Sequence, residues 1–143
     1  MSDVRGYAQR IELSAPVARV WRALHDPADL NVWLGSGAAV QPQVGGSYDV
    51  VLSSVVPRQG HIDVFEPDRR LRVIYLTPPS MAPEIGTIID DYMLSAQPGG
   101  SLLTLMADGI PQSPAWDHYF LALRRQTAIA MSRLSVLVSK SSG

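Results

Sequence analysis

AWDHYFLALRRQTAIAMSRLSVLVS, residues 115–139, contains neither glycine nor proline, and no other part of the chain runs so far uninterrupted. Its apolar residues recur at Trp116, Phe120, Leu123, Ala130, Leu134 and Val138, at steps built from three and four. That is the stripe of an amphipathic helix. Arg124, Arg125, Ser132, Arg133 and Ser135 mostly fall off the stripe. Ser113 is placed to cap the helix, with Pro114 at its first position. Twenty-five residues make about seven turns, or roughly 37 Å. A helix of that length needs a long apolar partner, and the rest of the chain reads as a sheet able to supply it.

Working outward, Val4 to Ser14 forms a first strand, with Ile11 and Leu13 facing one way and Arg10 and Glu12 the other. Ser14 is expected to cap a short helix beginning near Pro16 and carrying Val17, Val20, Trp21 and Leu24. His25-Asp26-Pro27 stops it, and Asp26 caps a second short helix with Leu30, Trp33 and Leu34 before Gly35-Ser36-Gly37 releases the chain. From Ala38 to Gly109 the apolar period becomes two. Strands are expected at 47–54, 61–66, 71–77, 85–96 and 101–107. The turns between them are Arg58-Gln59-Gly60, Pro67-Asp68-Arg69, the proline-rich segment Thr77 to Pro83, and Pro98-Gly99-Gly100. Short turns favour antiparallel meander pairing. The order strand, two short helices, four to five antiparallel strands and one long helix gives an α+β fold, with the sheet curled around the helix.

Length and composition bound the function. The 143 residues fit one domain, 1–143, with no internal repeat or linker. A net charge of −1 and basic runs no longer than two give no field that would gather nucleic acid or an anionic membrane. The absence of cysteine removes disulfides, thiolate nucleophiles and thiolate metal ligands. Met1 to Arg10 lacks the apolar core of a signal peptide, and no run approaches the ~18 apolar residues of a membrane span, so a cytoplasmic location is expected. The small polar tail Ser139 to Gly143 is expected to fray.

Several short motifs, in order, resemble one family. Ser14-Ala15-Pro16-Val17-Ala18-Arg19-Val20-Trp21-Arg22-Ala23-Leu24 resembles the opening of the START-like, helix-grip superfamily (SRPBCC). Leu30 and Trp33, Gly45-Gly46-Ser47-Tyr48, Gly60 to Leu71 (GHIDVFEPDRRL) and Gly99 to Leu105 resemble successive motifs of the branch named after the activator of the heat-shock-protein ATPase. The resemblance covers almost the whole chain. It implies a helix-grip fold with ligand space between the long helix and the concave face of the sheet. This sequence departs from the branch twice: Gln126-Thr127 stands where relatives often carry Gly-Trp, and Ala107 where they often carry a histidine.

Strand parity assigns the inner face. One parity of the strand at 85–96 gives Ile88, Asp90, Tyr92, Leu94 and Ala96; a one-residue slip would exchange it for Ile89, Asp91, Met93 and Ser95. The first set agrees with the family alignment. Tyr48, Tyr75 and Trp33 are expected to join it, with Ile62, Val64, Leu103, Leu105 and Ala107. The expected ligand-binding residues are Trp33, Tyr48, Tyr75, Asp90, Tyr92, Leu105, Trp116, Phe120, Leu123 and Thr127. Trp116, Phe120 and Leu123 would shape the open end, while Ala130, Leu134 and Val138 pack as core. Asp90 is the best catalytic candidate, because burial without a partner favours the neutral form of a carboxyl and suits it to acid–base work. Its alternative is a structural carboxylate that meets solvent at the strand end or pairs with an arginine. Tyr75 and Tyr92 either orient a ligand oxygen or serve as wall.

His25, His61 and His118 lie far apart in sequence and show no metal-ligand spacing, so no metal is expected. No Gly-x-Ser-x-Gly elbow occurs, and the glycine pairs are turn glycines, so neither a serine nucleophile nor a phosphate-binding cofactor is expected. The opposite parity sets Ile74, Leu76, Met93, Leu102 and Met106 on the outer face, where they would form an apolar patch for a homodimer or another partner. The leading reading is binding of a small apolar or amphipathic molecule. A cyclase- or hydratase-like enzyme and a chaperone-activator-like interaction module are the alternatives.

Overall fold

The computed structural model describes residues 4–52, 56–77 and 88–140. Among them seven strands form one antiparallel sheet. These are β1 (Val4–Leu13), β2 (Gly35–Val40), β3 (Ser47–Leu52), β4 (Val56–Glu66), β5 (Arg70–Tyr75), β6 (Ile88–Gln97) and β7 (Gly100–Pro111), in the order β1-β7-β6-β5-β4-β3-β2. Helices α1 (Val17–His25) and α2 (Pro27–Trp33) follow β1, and α3 (Asp117–Lys140) closes the chain. The sheet curves around α3, as the strand and helix periodicities require. Buried residues along α3 are Leu123, Thr127, Ala130, Met131, Leu134 and Val138; of the expected stripe, Phe120 is only half-buried and Trp116 is buried just before the helix, while Thr127 and Met131 are added.

Several boundaries differ from expectation. The long helix does not begin at Pro114: Pro114–Trp116 is a single 3-10 turn, and α-helical geometry starts at Asp117. Ser14 does not cap α1; Pro16 holds that position with extended backbone angles, and no side chain bonds to the helix end. Asp26 does cap α2, its carboxylate accepting from the Asp29 amide at 3.1 Å. Gly35-Ser36-Gly37 is no mere release, because it opens the edge strand β2. β6 pairs with β7 through a tight turn in which Gly99 has φ +82°, a backbone that favours glycine. Asp68 turns the β4–β5 hairpin at φ +64°, a conformation aspartate tolerates. Apart from Thr77, the proline-rich segment Thr77 to Pro83 lies outside the described residues, and so do 53–54 of the strand expected at 47–54, 85–87 of the strand expected at 85–96, and the tail at 141–143.

Two differences change the inner face. The expected turn at Arg58-Gln59-Gly60 is strand, because β4 runs unbroken from Val56 to Glu66. Continuing the parity of Ile62 backward then turns Gly60 and Arg58 inward. Glycine is needed at 60 because a Cβ there would lie 2.8 Å from the Tyr75 ring and 2.6 Å from the Ile74 carbonyl. It marks a close approach inside a strand rather than a turn. In addition, a bulge between Ile62 and Val64 shifts the register, so that Val64 pairs with Arg72 and Phe65 with Leu71. Val64, expected inward, therefore moves to the outer face, and Phe65 turns in to pack on Trp21 and His25.

Candidate functional site

The site is built from adjacent rows of cross-strand neighbours. In one row Tyr7 on β1 pairs with Ala107 on β7, Ala107 with Asp90 on β6, Asp90 with Val73 on β5, and Val73 with Ile62 on β4. In the next, Tyr48 on β3 pairs with Gly60, Gly60 with Tyr75, and Tyr75 with Ile88. Arg58 and Asp90 stand on strands separated by β5, whose neighbours are about 10 Å apart, and Arg58 is offset along β4 from Ile62, the residue level with Asp90. Arginine spans that gap by lying flat over Tyr75, with its guanidinium carbon 3.6 Å from the ring centroid. Its Nη1 then donates to Asp90 Oδ2 at 2.8 Å. The absence of a side chain at Gly60 leaves the Tyr75 ring its place beneath the arginine.

This ion pair is deep inside: Arg58 is 6% exposed and Asp90 2%. Of the alternatives left open for Asp90, the structure selects pairing with an arginine and excludes a solvent-facing strand end. The pair is also incompletely satisfied. Arg58 Nε and Nη2, Asp90 Oδ1 and the Tyr75 hydroxyl are buried with no hydrogen-bond partner, as is Trp116 Nε1. Ala107, the direct cross-strand neighbour of Asp90, offers no polar group to the spare oxygen. Leaving such atoms unpaired costs about 1–3 kcal/mol each, so most are expected to find partners.

Electrostatics hold Arg58 and the surrounding phenols each in one form. Burial is the largest influence on Arg58 and acts to lower its pKa, but Asp90 together with Tyr75, Tyr119 and Tyr7 more than offsets it and the net direction is upward. Burial pushes Tyr7, Tyr48, Tyr75, Tyr92 and Tyr119 above the ordinary phenol value. All five therefore remain neutral phenols at working pH, as donors or acceptors rather than anions. Tyr119 lies at the edge of hydrogen-bond reach of Arg58, too far to satisfy Nε or Nη2 but close enough for the guanidinium to act on its phenol in the opposite sense.

The structure sorts the ten expected ligand-binding residues. Tyr75 and Asp90 belong to the polar cluster, with the rings of Tyr92 and Tyr48 beside it. Tyr48 and Trp33 have spent their polar atoms. The Tyr48 hydroxyl donates to the Leu24 carbonyl at 2.7 Å and Trp33 Nε1 to the Ala23 carbonyl at 2.8 Å, closing carbonyls at the end of α1. Leu105 lies opposite Tyr92, and both are fully buried, as is Leu123. Trp116 is buried edge-on to Tyr119. Phe120 is only half-buried; it meets the edge of Tyr7 and lies beneath the Arg5 guanidinium, 4.4 Å from its ring centroid. Thr127 is buried, with its hydroxyl 3.0 Å from the Tyr7 hydroxyl.

Sequence reasoning missed Arg58, Tyr7 and Tyr119. The signal for Arg58 was the unbroken parity Val56, Arg58, Gly60, Ile62, hidden by taking Gly60 for a turn. Tyr7 fills from β1 the space beside Thr127, and simple alternation from Ile11 through Gln9 would have found it. Of the histidines, His61 and His118 are exposed, and His25 packs between Trp21 and Phe65. Among the described residues no three potential metal ligands come together. No described helix is long and apolar enough to cross a membrane.

A curved antiparallel sheet gripping a long C-terminal helix is the START-like helix-grip fold. The chain belongs to the family of Activator of Hsp90 ATPase homolog 1-like proteins, whose profile matches residues 14–134. The chain is similar in fold to a protein from Mesorhizobium loti, with TM-score 0.79 and 18% identity over 95% of this chain and 98% of the other. A protein from Chromobacterium violaceum is 25% identical over 93% and 96% of the two chains, with TM-score 0.71. DynU16, from the dynemicin biosynthetic locus, gives TM-score 0.74 at 17% identity, over 96% of this chain and 48% of its own. Among curated proteins none matches the sequence.

Proposed function

We propose that the protein binds a small amphipathic molecule between α3 and the sheet, its apolar body among the aromatic residues and its polar group at Arg58, Asp90 and Tyr75. The observation that carries this reading is the set of unpaired polar atoms on those three residues, buried in an otherwise apolar interior. A ligand that hydrogen-bonds to them removes a cost that the free protein bears. The polar groups of Tyr48 and Trp33 are satisfied within the fold, so these two residues serve as wall. The same reading takes the protein to act in the cytoplasm. Thermal unfolding in the presence of single-ring aromatic compounds tests it. A ligand at 100 times its Kd should stabilise the fold by about 2.7 kcal/mol, and Tyr75→Phe should reduce that gain. No shift with any such compound at millimolar concentration would remove the reading.

A second reading is supported by the Tyr75 hydroxyl, which burial keeps protonated and which has no partner. It is then a proton donor beside a carboxylate, as a cyclase- or hydratase-like reaction would use. The measurement that separates the two is turnover: Tyr75→Phe abolishes it in an enzyme while largely sparing affinity. The family name points to a third reading, an interaction module acting on a chaperone ATPase. Charge introduced at Met93 or Leu102 on the outer face would then abolish partner binding and leave the interior ligand unaffected.

A further inference from the structure

The unpaired atoms of the buried cluster are of both kinds. Arg58 Nε and Nη2 are donors without acceptors, and Asp90 Oδ1 is an acceptor without a donor. The Tyr75 hydroxyl serves as either. The charges, in contrast, already cancel: Arg58 is bound to Asp90 at 2.8 Å, with side-chain exposures of 4% and 3%. An anionic ligand seated on the free face of Arg58 would leave the Asp90 carboxylate as a surplus negative charge in the same dry space. A cationic ligand on Asp90 would leave Arg58 in surplus. Either surplus is opposed by the low local dielectric. A neutral group that both accepts and donates satisfies the unpaired atoms and leaves the charge balance intact. The other groups facing the pair are phenols held neutral by burial, namely Tyr7, Tyr75 and Tyr119, and they offer no charge to offset an ionic ligand.

We infer that the interior site selects a neutral donor–acceptor head group, of the carboxamide or hydroxy-carbonyl class, over a carboxylate or an amine on the same apolar skeleton. The carbonyl oxygen accepts from Arg58, and the N–H or O–H donates to Asp90 Oδ1. Ala107 supports this assignment, since it leaves that oxygen without a partner from the neighbouring strand. The inference rests on the binding function proposed above and adds the chemistry of its ligand.

The test compares benzamide, benzoate, benzylamine and toluene on the wild-type protein at pH 7. Affinity is measured by titration of the indole N–H resonances in two-dimensional NMR. Trp116 Nε1, unpaired and buried, reports on the interior, while Trp33 Nε1, bonded to the Ala23 carbonyl, serves as the internal control. Benzamide should bind at least about tenfold more tightly than benzoate, benzylamine or toluene, a ratio well within what one uncompensated buried charge or unmet hydrogen-bond pair imposes. Asp90→Asn, confirmed folded by its spectrum, should reverse the order between benzamide and benzoate, because Arg58 then lacks its counter-charge. Equal affinity for all four, or a preference for toluene, would overturn the head-group inference and leave interior binding standing. Preference for benzoate in the wild type would overturn it as well. No binding of any of the four would overturn interior binding itself, and the head-group inference with it.

Discussion

At the scale of the residue, the molecule turns on a charge pair that the sheet forces into its interior. Arg58→Met strands the Asp90 carboxylate, and Asp90→Leu strands the guanidinium; each should cost about 3–5 kcal/mol in urea unfolding, because a buried charge without its partner is opposed by desolvation. The double variant Arg58→Met/Asp90→Leu removes both charges together and should be more stable than either single variant. Additive losses would show that the pair contributes through packing alone. His25 gives a second residue-level effect. Burial between Trp21 and Phe65 lowers its pKa, against the opposing pull of Asp26 and Asp29. The folded state thus prefers neutral imidazole, and the unfolded chain takes up the proton first on acidification. This contribution is complete above the unfolded value of about 6.5 and is lost as pH falls through the folded value. The wild type should therefore lose stability between pH 7 and pH 5 more steeply than His25→Gln, as read from urea midpoints across that range. Parallel curves would remove His25 as the cause.

At the scale of the element, β4 decides what the site contains, and it is where sequence reading and structure part. The long helix, the meander and the inward parity of Asp90 and Tyr92 were legible because period and turn chemistry agree there. Arg58 was not, because Gly60 carries two meanings: in a hairpin it supplies a turn, and in a strand it makes room for a neighbour. The local pattern Arg58-Gln59-Gly60 favours the first, and only the position of Tyr75 on the adjacent strand decides for the second. The bulge at 62–64 was illegible for a related reason, since the residue that leaves a ladder is chosen by the partner strand. Gly60→Ala tests the second meaning. Its Cβ would press on the Tyr75 ring and the Ile74 carbonyl, so a loss of about 1–3 kcal/mol is expected from overpacking. A turn glycine with negative φ would instead tolerate alanine or gain from it. The start of α3 makes the complementary case. Arg5 on β1 bonds Asp117 at 2.8 Å and covers Phe120, tying the first strand to the helix over the half-buried Tyr7 and Phe120. Asp117 is exposed, so Asp117→Asn should leave stability nearly unchanged. Loosening that tie should speed ligand entry and exit in the NMR titration while altering affinity little.

At the scale of the whole molecule, the question is whether the outer face of the sheet holds a second copy. Ile74, Leu76, Met93, Leu102 and Met106 do not form one smooth patch. Met93 lies between Arg70 and Thr104, and Met106 between Asp91 and Ala8. The Arg70–Asp91 pair, at 3.0 and 2.8 Å, and the Arg72–Asp63 pair run through the same surface. Leu76, Met93 and Met106 are nonetheless 64%, 38% and 46% exposed, and a net charge of −1 raises little repulsion between copies. An interface here would gain from those side chains and lose from desolvating the partly exposed ion pairs, whereas permanent dimers use more uniformly apolar surfaces. The balance favours a weak dimer: a monomeric mass at low micromolar concentration, rising toward twice that mass at high micromolar in light scattering. Met93→Asp should hold the protein monomeric throughout, since a new carboxylate on this face would have to be desolvated in any interface formed there. Because Met93 points away from the interior, the same variant should keep the wild-type response to benzamide. A monomeric wild type at every concentration would retire the dimer. A benzamide response lost along with the dimer would instead mean that the two faces of the sheet are coupled through β6, the strand that carries Asp90 inward and Met93 outward.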